Sequence, residues 1–343
     1  MIRLPRPGWA LPALLAGCLA FPLPAAAGAG DAFIAARRIP DAPPLDPLSP
    51  VWLKRPATAI TLYPQTSVPP ATAGKPLAAK LRVLYDDQSA AIHVEWADAA
   101  PARGRHIGRF ADAVALQWPM NRSPARLPYI GMGHAGAPVA VWLWRADGSA
   151  ETLAAEGFGT LTRRAPDGMQ ARGAWKDGVW RVVFRRALAA WSGDAPRFDP
   201  ERGLPPVAVA VWNGEAAERD GIKRLSAWLA MGPGKIDGAD ARPLGAGADP
   251  ERGRRLMSEH GCAACHGFPA NPARPRIGPD LSYAGGIHTL AYLRESLMEP
   301  SKVVVPGKGY DMVQEGRRRS RMPPFAGTEA EREDILAYLA SLR

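Results

Sequence analysis

The stretch Cys262-Ala263-Ala264-Cys265-His266 decides what the C-terminal part of this 343-residue chain can be. Two cysteines separated by two residues and followed at once by histidine are the attachment signature of a c-type haem. The two thiols add to the haem vinyl groups, and the histidine then lies where its imidazole reaches the iron. A zinc site needs about four ligands, and the chain has no second cysteine pair. A thioredoxin-like pair would lie in a βαβ setting, which the local sequence lacks. We therefore predict one covalent haem c, attached through Cys262 and Cys265 and ligated by His266.

The residues before this motif mark a domain boundary. Residues 234–250 are rich in glycine, alanine and proline, which is typical of a linker. Asp249 is then suited to cap a helix that has Pro250 at its first position. The sequence therefore predicts a linker at residues 238–248 and an all-α domain at residues 249–343.

Three stretches of this C-terminal part occur together in small class I cytochromes c: the haem motif, IGPDL at residues 277–281, and RMPPF at residues 321–325 before the last helix. The part resembles that family over its whole length. The resemblance implies that the carbonyl of Pro279 holds the imidazole of His266, and that Met322 is the distal ligand of the haem c iron. Met312, in a predicted loop, is the alternative distal ligand.

The N-terminal part is dominated by apolar residues that alternate with a period of two. The clearest runs lie at residues 81–85, 92–96, 114–118, 139–143, 182–184 and 207–211. Asp147-Gly148 and Asp177-Gly178 are turn signals between such runs. Short strands at regular spacing predict an antiparallel β-sandwich or barrel, and we assign an all-β sandwich to residues 28–237. Composition alone gives this domain no function, and a carbohydrate-binding or adhesion-type sandwich fits its tryptophans equally well.

Several runs carry a more specific resemblance through their order and spacing. They lie at residues 110–119, 128–133, 139–144, 175–180, 207–214 and 218–223. Across about residues 45–235 the chain resembles the haem-b domain of ethylbenzene dehydrogenase gamma subunits. Related domains occur in the gamma subunits of dimethyl sulfide dehydrogenase, selenate reductase and chlorate reductase.

That resemblance implies a β-sandwich that holds one non-covalent haem b between a methionine and a lysine, which are Met132 and Lys223 in this chain. A thioether is a soft, neutral ligand that raises the reduction potential of the iron. A lysine ligates only after it loses its proton, which burial beside a cationic iron favours. His134 is a third candidate ligand. The alternative without a haem b is that Met132 serves only in loop packing and that Lys223 is an ordinary solvated residue among neighbouring charges.

The first 27 residues have the pattern of an export signal. Arg3 and Arg6 form a basic start, residues 9–23 are apolar, and residues 25–27 are three alanines suited to cleavage. Cys18 ends a stretch that resembles the lipobox of bacterial lipoproteins, so a lipid anchor at Cys18 is the alternative. Both interpretations place the mature protein in the periplasm, with membrane contact only if Cys18 is lipidated.

These observations predict a periplasmic electron-transfer protein with two haems rather than an enzyme, because two protein ligands on each iron leave no open position for substrate. By resemblance, the sandwich would dock on the iron–sulfur subunit of a molybdopterin enzyme of the dimethyl sulfoxide reductase type, and electrons would pass between that enzyme and a respiratory-chain carrier. The fusion of two haem domains departs from the single-domain gamma subunits. A standalone shuttle, a ligand-binding or docking sandwich with a cytochrome c tail, and a catalytic haem enzyme are the alternatives.

Four arginines crowd the sequence just before Met322: Arg317, Arg318, Arg319 and Arg321. The chain has a formal net charge of +10. A basic rim beside a haem edge would steer an acidic soluble redox partner. The arginines are not interleaved with stacking aromatic residues, so nucleic-acid binding is not predicted.

Overall fold

The computed structural model of the protein describes residues 33–67, 72, 74–104, 107–120, 127–188, 199, 204–232, 243–272, 277–305 and 309–343. The predicted export segment, Cys18 and residues 238–242 of the predicted linker lie outside the described residues. Within these described ranges, no helix is both long enough and apolar enough to cross a membrane.

The regular secondary structure of the N-terminal part is almost entirely β-strand. They are β1 (Phe33–Arg38), β2 (Thr58–Pro64), β3 (Leu77–Tyr85), β4 (Ser89–Ala97), β5 (Ala113–Pro119), β6 (Val139–Arg145), β7 (Ala150–Ala155), β8 (Thr162–Arg163), β9 (Gln170–Lys176), β10 (Val179–Ala187), β11 (Leu204–Trp212), β12 (Arg224–Leu225) and β13 (Leu229–Gly232). A short helix, α1 (Pro50–Leu53), lies between β1 and β2. The hydrogen-bonded order is β8-β7-β6-β5-β11-β12-β2-β3-β4-β10-β9, and β1 and β13 pair with each other beside this path. The pairs along the path are antiparallel, whereas β1 runs parallel to β13 and β3.

Local turn chemistry explains why neighbouring strands pair as predicted. The carboxylate of Asp86 accepts hydrogen bonds from the backbone N–H groups of Gln88 and Ser89 and closes the β3–β4 hairpin. Asp177 and Gly178, with φ of 52° and 75°, form the tight turn between β9 and β10. Positive φ at both central residues suits the twist of a hairpin. These hairpins confirm the predictions made from alternation and turn residues.

The strands bury one continuous core between their inner faces. On β6 the side chains of Trp142 and Trp144 belong to this core, together with Trp96, Phe184 and Val209 from other strands. Burying one large apolar side chain contributes about 1.5–3 kcal/mol, so this face accounts for much of the stability of the sheet. The opposite face of β6 enters a second apolar cluster, described below, that the sheet shares with the C-terminal part.

The C-terminal part is mainly helical. Its helices are α2 (Pro250–Glu259), α3 (Ala284–Ile287), α4 (Leu290–Met298) and α5 (Glu329–Ser341), with a 3₁₀ turn at Cys262–Ala264. Asp249 caps α2, as predicted, and Thr328 and Glu331 form a reciprocal capping box at the start of α5. Helices α2 and α5 cross closely, because a Cβ atom at Gly253 would lie 2.0 Å from the carbonyl oxygen of Asp334.

The prediction of an all-α C-terminal domain is wrong in one segment. Strands β14 (Asp311–Gln314) and β15 (Arg317–Ser320) form a two-stranded hairpin, and Met312 lies in β14 rather than in a loop. Glu315 and Gly316, with φ of 51° and 72°, make the turn, and Arg318 pairs with Asp311 at 3.1 Å. The hairpin was not predicted because its arginine-rich sequence lacks the apolar alternation on which strand prediction depends.

Candidate haem sites

The haem motif lies where α2 ends. Gly261 turns the chain with a φ of 73°, and the 3₁₀ turn Cys262–Ala264 follows. The backbone N–H groups of Cys265 and His266 both donate to the carbonyl of Cys262, at 3.1 and 3.0 Å. The two thiols are free and partly buried. The compact turn therefore places both cysteines and the histidine in one short segment.

The imidazole of His266 is held in one tautomer. Its Nδ1 lies 2.8 Å from the carbonyl oxygen of Pro279, which can only accept a hydrogen bond, so Nδ1 carries the proton. Burial lowers the pKa of His266, against the opposing effect of this hydrogen bond, and keeps the ring neutral. Gly278 lets the loop close on the ring, since a Cβ atom there would lie 2.7 Å from Cε1 of His266. The lone pair of Nε2 is consequently available to a metal, and the Pro279 contact is the one that the resemblance to class I cytochromes c implied.

Met322 lies next to the same apolar cluster as the haem motif. Its side chain is partly buried and packs with Cys262, Ala263 and Leu281 against the core of the helical part. Its backbone N–H donates to Oγ of Ser320 at 3.1 Å. The alternative ligand, Met312, is 43% exposed. Both methionines line a cavity of about 510 Å³ beside the β14–β15 hairpin.

Met132 is held in an unusual backbone conformation on the sheet side. Its φ is 75°, the left-handed region, which costs a residue with a Cβ atom about 1 kcal/mol or more. Two backbone hydrogen bonds fix this loop, from Gly133 to Tyr129 at 2.8 Å and from Gly157 to Met132 at 2.8 Å. The partly buried thioether side chain packs against the second apolar cluster.

His134 is tied into the same loop through a ring nitrogen. The backbone N–H of Tyr129 donates to its Nδ1 at 3.1 Å. A neutral imidazole whose Nδ1 accepts must carry its proton on Nε2, so neither nitrogen then offers a lone pair to an iron. The geometry therefore favours Met132 over His134 as a ligand donor.

Lys223 lies just before β12, and its backbone is bound on both sides. Its N–H donates to Oγ1 of Thr72 at 2.7 Å, and its carbonyl accepts from that hydroxyl at 2.8 Å and from the N–H of Gln65 at 2.9 Å. The residue is only 7% exposed. Trp212, whose ring centroid lies 5.1 Å from Nζ of Lys223, was not identified from the sequence. Its position on the outward face of β11 was the one signal that could have indicated it.

The amine of Lys223 has the properties of a metal-ligand donor. Desolvation lowers its pKa from 10.5 to about 8, against a smaller opposing effect of Asp220. Among the described residues, Nζ makes no hydrogen bond or ion pair. A buried amine that loses its proton easily and has no acceptor is suited to donate its lone pair to a metal. The donor set of Met132 and Lys223 thus fits a haem iron.

The second apolar cluster connects these residues. It comprises the outward side chains of β5, β6, β7 and β11, including Ala113, Val139, Val141, Leu153 and Ala208. Met132 and Trp212 pack against it, so both candidate ligands adjoin one face of the sheet. Residues from the helical part, Tyr283, Ile287 and Tyr292 among them, pack against the same cluster.

Comparison with known proteins agrees with this division of the chain. The family profile described as ethylbenzene dehydrogenase matches residues 49–170 and 160–224, and the profile described as cytochrome c matches residues 250–343. The chain therefore belongs to the ethylbenzene dehydrogenase family and carries a cytochrome c domain at its C-terminal end. Both predicted resemblances are confirmed.

Three relatives indicate where in this family the chain lies. It is 34% identical over 195 residues, 56% of this chain and 70% of the relative, to the protein named "Putative respiratory nitrate reductase heme subunit ORF7" of Haloferax mediterranei. It is 31% identical over 185 residues to chlorate reductase subunit gamma of Ideonella dechloratans, covering 52% of this chain and 75% of the relative. It is 32% identical over 142 residues to dimethylsulfide dehydrogenase subunit gamma of Rhodovulum sulfidophilum, covering 39% of this chain and 52% of the relative.

Proposed function

We propose that this chain is a two-haem electron-transfer protein. The observation that carries the proposal is the buried Lys223 amine. It has a lowered pKa, has no hydrogen-bond or ion-pair partner among the described residues, and contacts Trp212 beside the apolar face that Met132 also borders. The cytochrome c domain supplies the other site, in which Cys262 and Cys265 attach haem c and His266 and Met322 ligate its iron. When bound, each haem supplies an iron that takes up and returns one electron.

The residues of the chain have distinct tasks in this function. The Pro279 carbonyl orients the imidazole of His266 and raises its basicity through the hydrogen bond at Nδ1. The loop around Met132 presents a thioether, and burial lowers the pKa of Lys223 to about 8, which makes loss of its proton easier. Because each iron has two protein ligands, the chain transfers electrons and does not itself convert substrate.

We further propose the setting in which electrons are exchanged. The relatives include a gamma subunit of chlorate reductase, a gamma subunit of dimethylsulfide dehydrogenase and a haem subunit of a respiratory nitrate reductase. A molybdopterin enzyme with an iron–sulfur subunit is accordingly the proposed partner on the sheet side, which we assign as a sandwich over residues 28–237. Residues 1–27 would direct export to the periplasm, with a lipid anchor only if Cys18 is modified.

An acidic soluble carrier is the proposed partner on the cytochrome c side. Arg317, Arg318 and Arg319 are exposed on β15, next to the cavity that Met322 lines. Val313 on the neighbouring strand is 73% exposed and adds an apolar spot among these charges. An exposed basic rim with a small apolar centre fits a partner that docks transiently.

A pyridine haemochrome spectrum before and after acid–acetone extraction tests the two-haem assignment. With haem supplied during preparation, we expect equal amounts of an extractable haem b and a retained haem c. Lys223→Ala and Met132→Ala should lose the haem b and keep the haem c, and Lys176→Ala, at an exposed site on β9, should keep both. Retention of haem c alone in the unaltered protein would overturn the haem-b assignment and leave a c-type cytochrome with a docking sheet.

A further inference from the structure

The sheet and the cytochrome c domain, which carry the two candidate haem sites, are in direct contact. Ile287 is 3% exposed and is buried in the apolar cluster of the sheet. Gly286 lies so close to Tyr63 of β2 that a Cβ atom would be 2.5 Å from the ring. The rings of Tyr129, His288 and Tyr292 stack across the boundary, with centroids 5.8 Å apart for Tyr129–His288 and 4.7 Å apart for His288–Tyr292.

A hydrogen bond in this contact joins two segments, each of which is hydrogen-bonded to one candidate iron ligand. Oγ1 of Thr66 donates to the carbonyl of Asp280 at 2.9 Å. Asp280 directly follows Pro279, whose carbonyl accepts from Nδ1 of His266 at 2.8 Å. Thr66 directly follows Gln65, whose N–H donates to the carbonyl of Lys223 at 2.9 Å.

These contacts form a continuous bonded route between the two sites. From Lys223 it crosses to Gln65, continues through the backbone to Thr66, crosses to Asp280, continues to Pro279 and crosses to His266. Every crossing is a hydrogen bond of 2.8–2.9 Å, and every other step is covalent.

We propose that Thr66 is the positioning residue for electron transfer between the two haems, and that its hydrogen bond to Asp280 completes the route from Lys223 to His266. The inference rests on the proposed two-haem function. Electronic coupling decays less steeply along covalent and hydrogen bonds than across a van der Waals gap. Thr66 supplies the one crossing between the sheet and the cytochrome c domain on this route.

The transfer moves a single electron and changes no bond. When bound, the haem held by Met132 and Lys223 and the haem held by His266 and Met322 would each supply an iron that takes up or gives up one electron, so the electron lost at one site would be gained at the other. The external donor and acceptor would be the iron–sulfur subunit and the soluble carrier proposed above. No proton has to leave Lys223 or His266, because both ligand nitrogens are already unprotonated when they bind iron.

The aromatic stack has a different task in this arrangement. The rings of His288, Tyr129 and Tyr292 contact one another pairwise. Desolvation lowers the pKa of His288 to about 4, so it stays neutral and packs as an apolar ring at physiological pH. Tyr129 also belongs to the Met132 loop, and its ring lies where a Cβ atom of Gly131 would be. The stack therefore holds the Met132 loop and the cytochrome c domain together, while the Thr66 hydrogen bond provides the route.

The variant Thr66→Val tests the route, because it removes the hydroxyl and keeps the shape of the side chain. One electron is injected photochemically into the full-length protein with both haems, and its redistribution is followed at the absorption bands of haem b and haem c. We expect inter-haem transfer to slow several-fold in Thr66→Val, to be restored in Thr66→Ser, and to be unchanged in Thr58→Val. The last variant is the matched control, since Thr58 lies on β2 and its hydroxyl faces the carbonyl of Phe33 at 3.5 Å.

Two further readouts separate the route from other effects. The midpoint potentials of both haems should be the same in Thr66→Val and the unaltered protein, and backbone hydrogen exchange in residues 127–134 and 283–292 should also be unchanged. An unaltered transfer rate in Thr66→Val would overturn the inference. Slower transfer with faster exchange in both segments would also overturn it, because the domains would then have separated. The haemochrome ratio is measured first, so a missing haem b would count against the proposed function and not against the route.

Discussion

The two methionines that line the cavity beside the hairpin differ in how firmly they are held. Met322 is fixed through its backbone by Ser320, is followed by two prolines, and packs against the same apolar cluster as Cys262. Met312 lies on an exposed strand with 43% of its surface free. A distal ligand has to hold its sulfur in place against water, and a stiff, partly buried segment does so at a lower entropic cost.

We expect Met322→Ala to open the distal position of the haem c iron. The reduced variant should bind carbon monoxide, with a shift of its visible absorption bands, whereas Met312→Ala should behave as the unaltered protein does. Both substitutions remove the same side chain from the same cavity, so each controls for the other. The reverse pattern would assign the distal position to Met312.

A pair of aspartates in the sheet gives a second prediction at the scale of single residues. Desolvation, reinforced by the charge of Asp112, raises the pKa of Asp98 from its ordinary value of 3.8 to about 6. Asp112 is buried and accepts from the N–H groups of Ala102 and Gly214 and from the indole of Trp180. Since the folded-state pKa of Asp98 is the higher one, its ionisation lowers stability as the pH rises from about 4 to 6, and the cost persists above pH 6.

The substitution Asp98→Asn should remove that cost, because an amide can donate to Asp112 without carrying a charge. The free energy of unfolding at pH 8 should rise by about 1–2 kcal/mol and the gain should fade towards pH 4, as urea titrations across this range would show. Asp87→Asn is the control, since Asp87 is exposed and pairs with Arg38 at 2.7 Å. Parallel pH profiles for Asp98→Asn and the unaltered protein would contradict this account.

At the scale of elements, the sequence predicts those strands whose apolar residues alternate with a period of two. Hairpins β3–β4 and β9–β10 follow from alternating apolar residues and from turns closed by Asp86 or by Asp177-Gly178. Strand β1 could not be predicted in this way, because its sequence FIAARR has little alternation and its partners β3 and β13 are distant in the chain.

The candidate sites show the same limit on prediction. The motif at residues 262–266 predicts a haem c site because the chemistry requires that spacing. The contacts made by Thr66, Tyr129 and His288 could not be predicted from the sequence. A tyrosine or threonine that faces another domain has the same local sequence as one that faces the core of its own domain. Contacts between parts of the chain depend on packing, which local periodicity does not encode.

The β14–β15 hairpin gives a prediction about charge. Arg317→Gln combined with Arg319→Gln should lower the second-order rate of electron exchange with an acidic carrier severalfold at low ionic strength, and should flatten the dependence on salt. Stopped-flow measurements across a salt series would show this. Arg37→Gln combined with Arg172→Gln removes two exposed charges from the sheet instead, and should leave the salt dependence in place. Equal effects of both pairs would mean that net charge, rather than the hairpin, steers the carrier.

At the scale of the whole molecule, Gly286 tests whether the sheet and the cytochrome c domain act as one body. An added methyl in Gly286→Ala would meet the ring of Tyr63 at 2.5 Å and should push the domains apart. Hydrogen exchange should then rise in β2 and α3 and stay slow in β4, in the core of the sheet. Gly221→Ala is the control, because a Cβ atom there would make only an ordinary contact of 3.7 Å with Gln65. Unchanged exchange in α3 would show that the contact at Gly286 does not hold the domains.

The shared apolar cluster also constrains how this protein could be rebuilt or diversified. The outward side chains of β6 are covered in part by Ile287, Tyr283 and Tyr292 of the cytochrome c domain. A chimera that exchanged this domain for another cytochrome would leave an uncovered apolar patch unless those side chains were grafted with it, and such a patch promotes aggregation. The two domains are therefore not interchangeable modules: each recombination event has to preserve the matched surfaces of both.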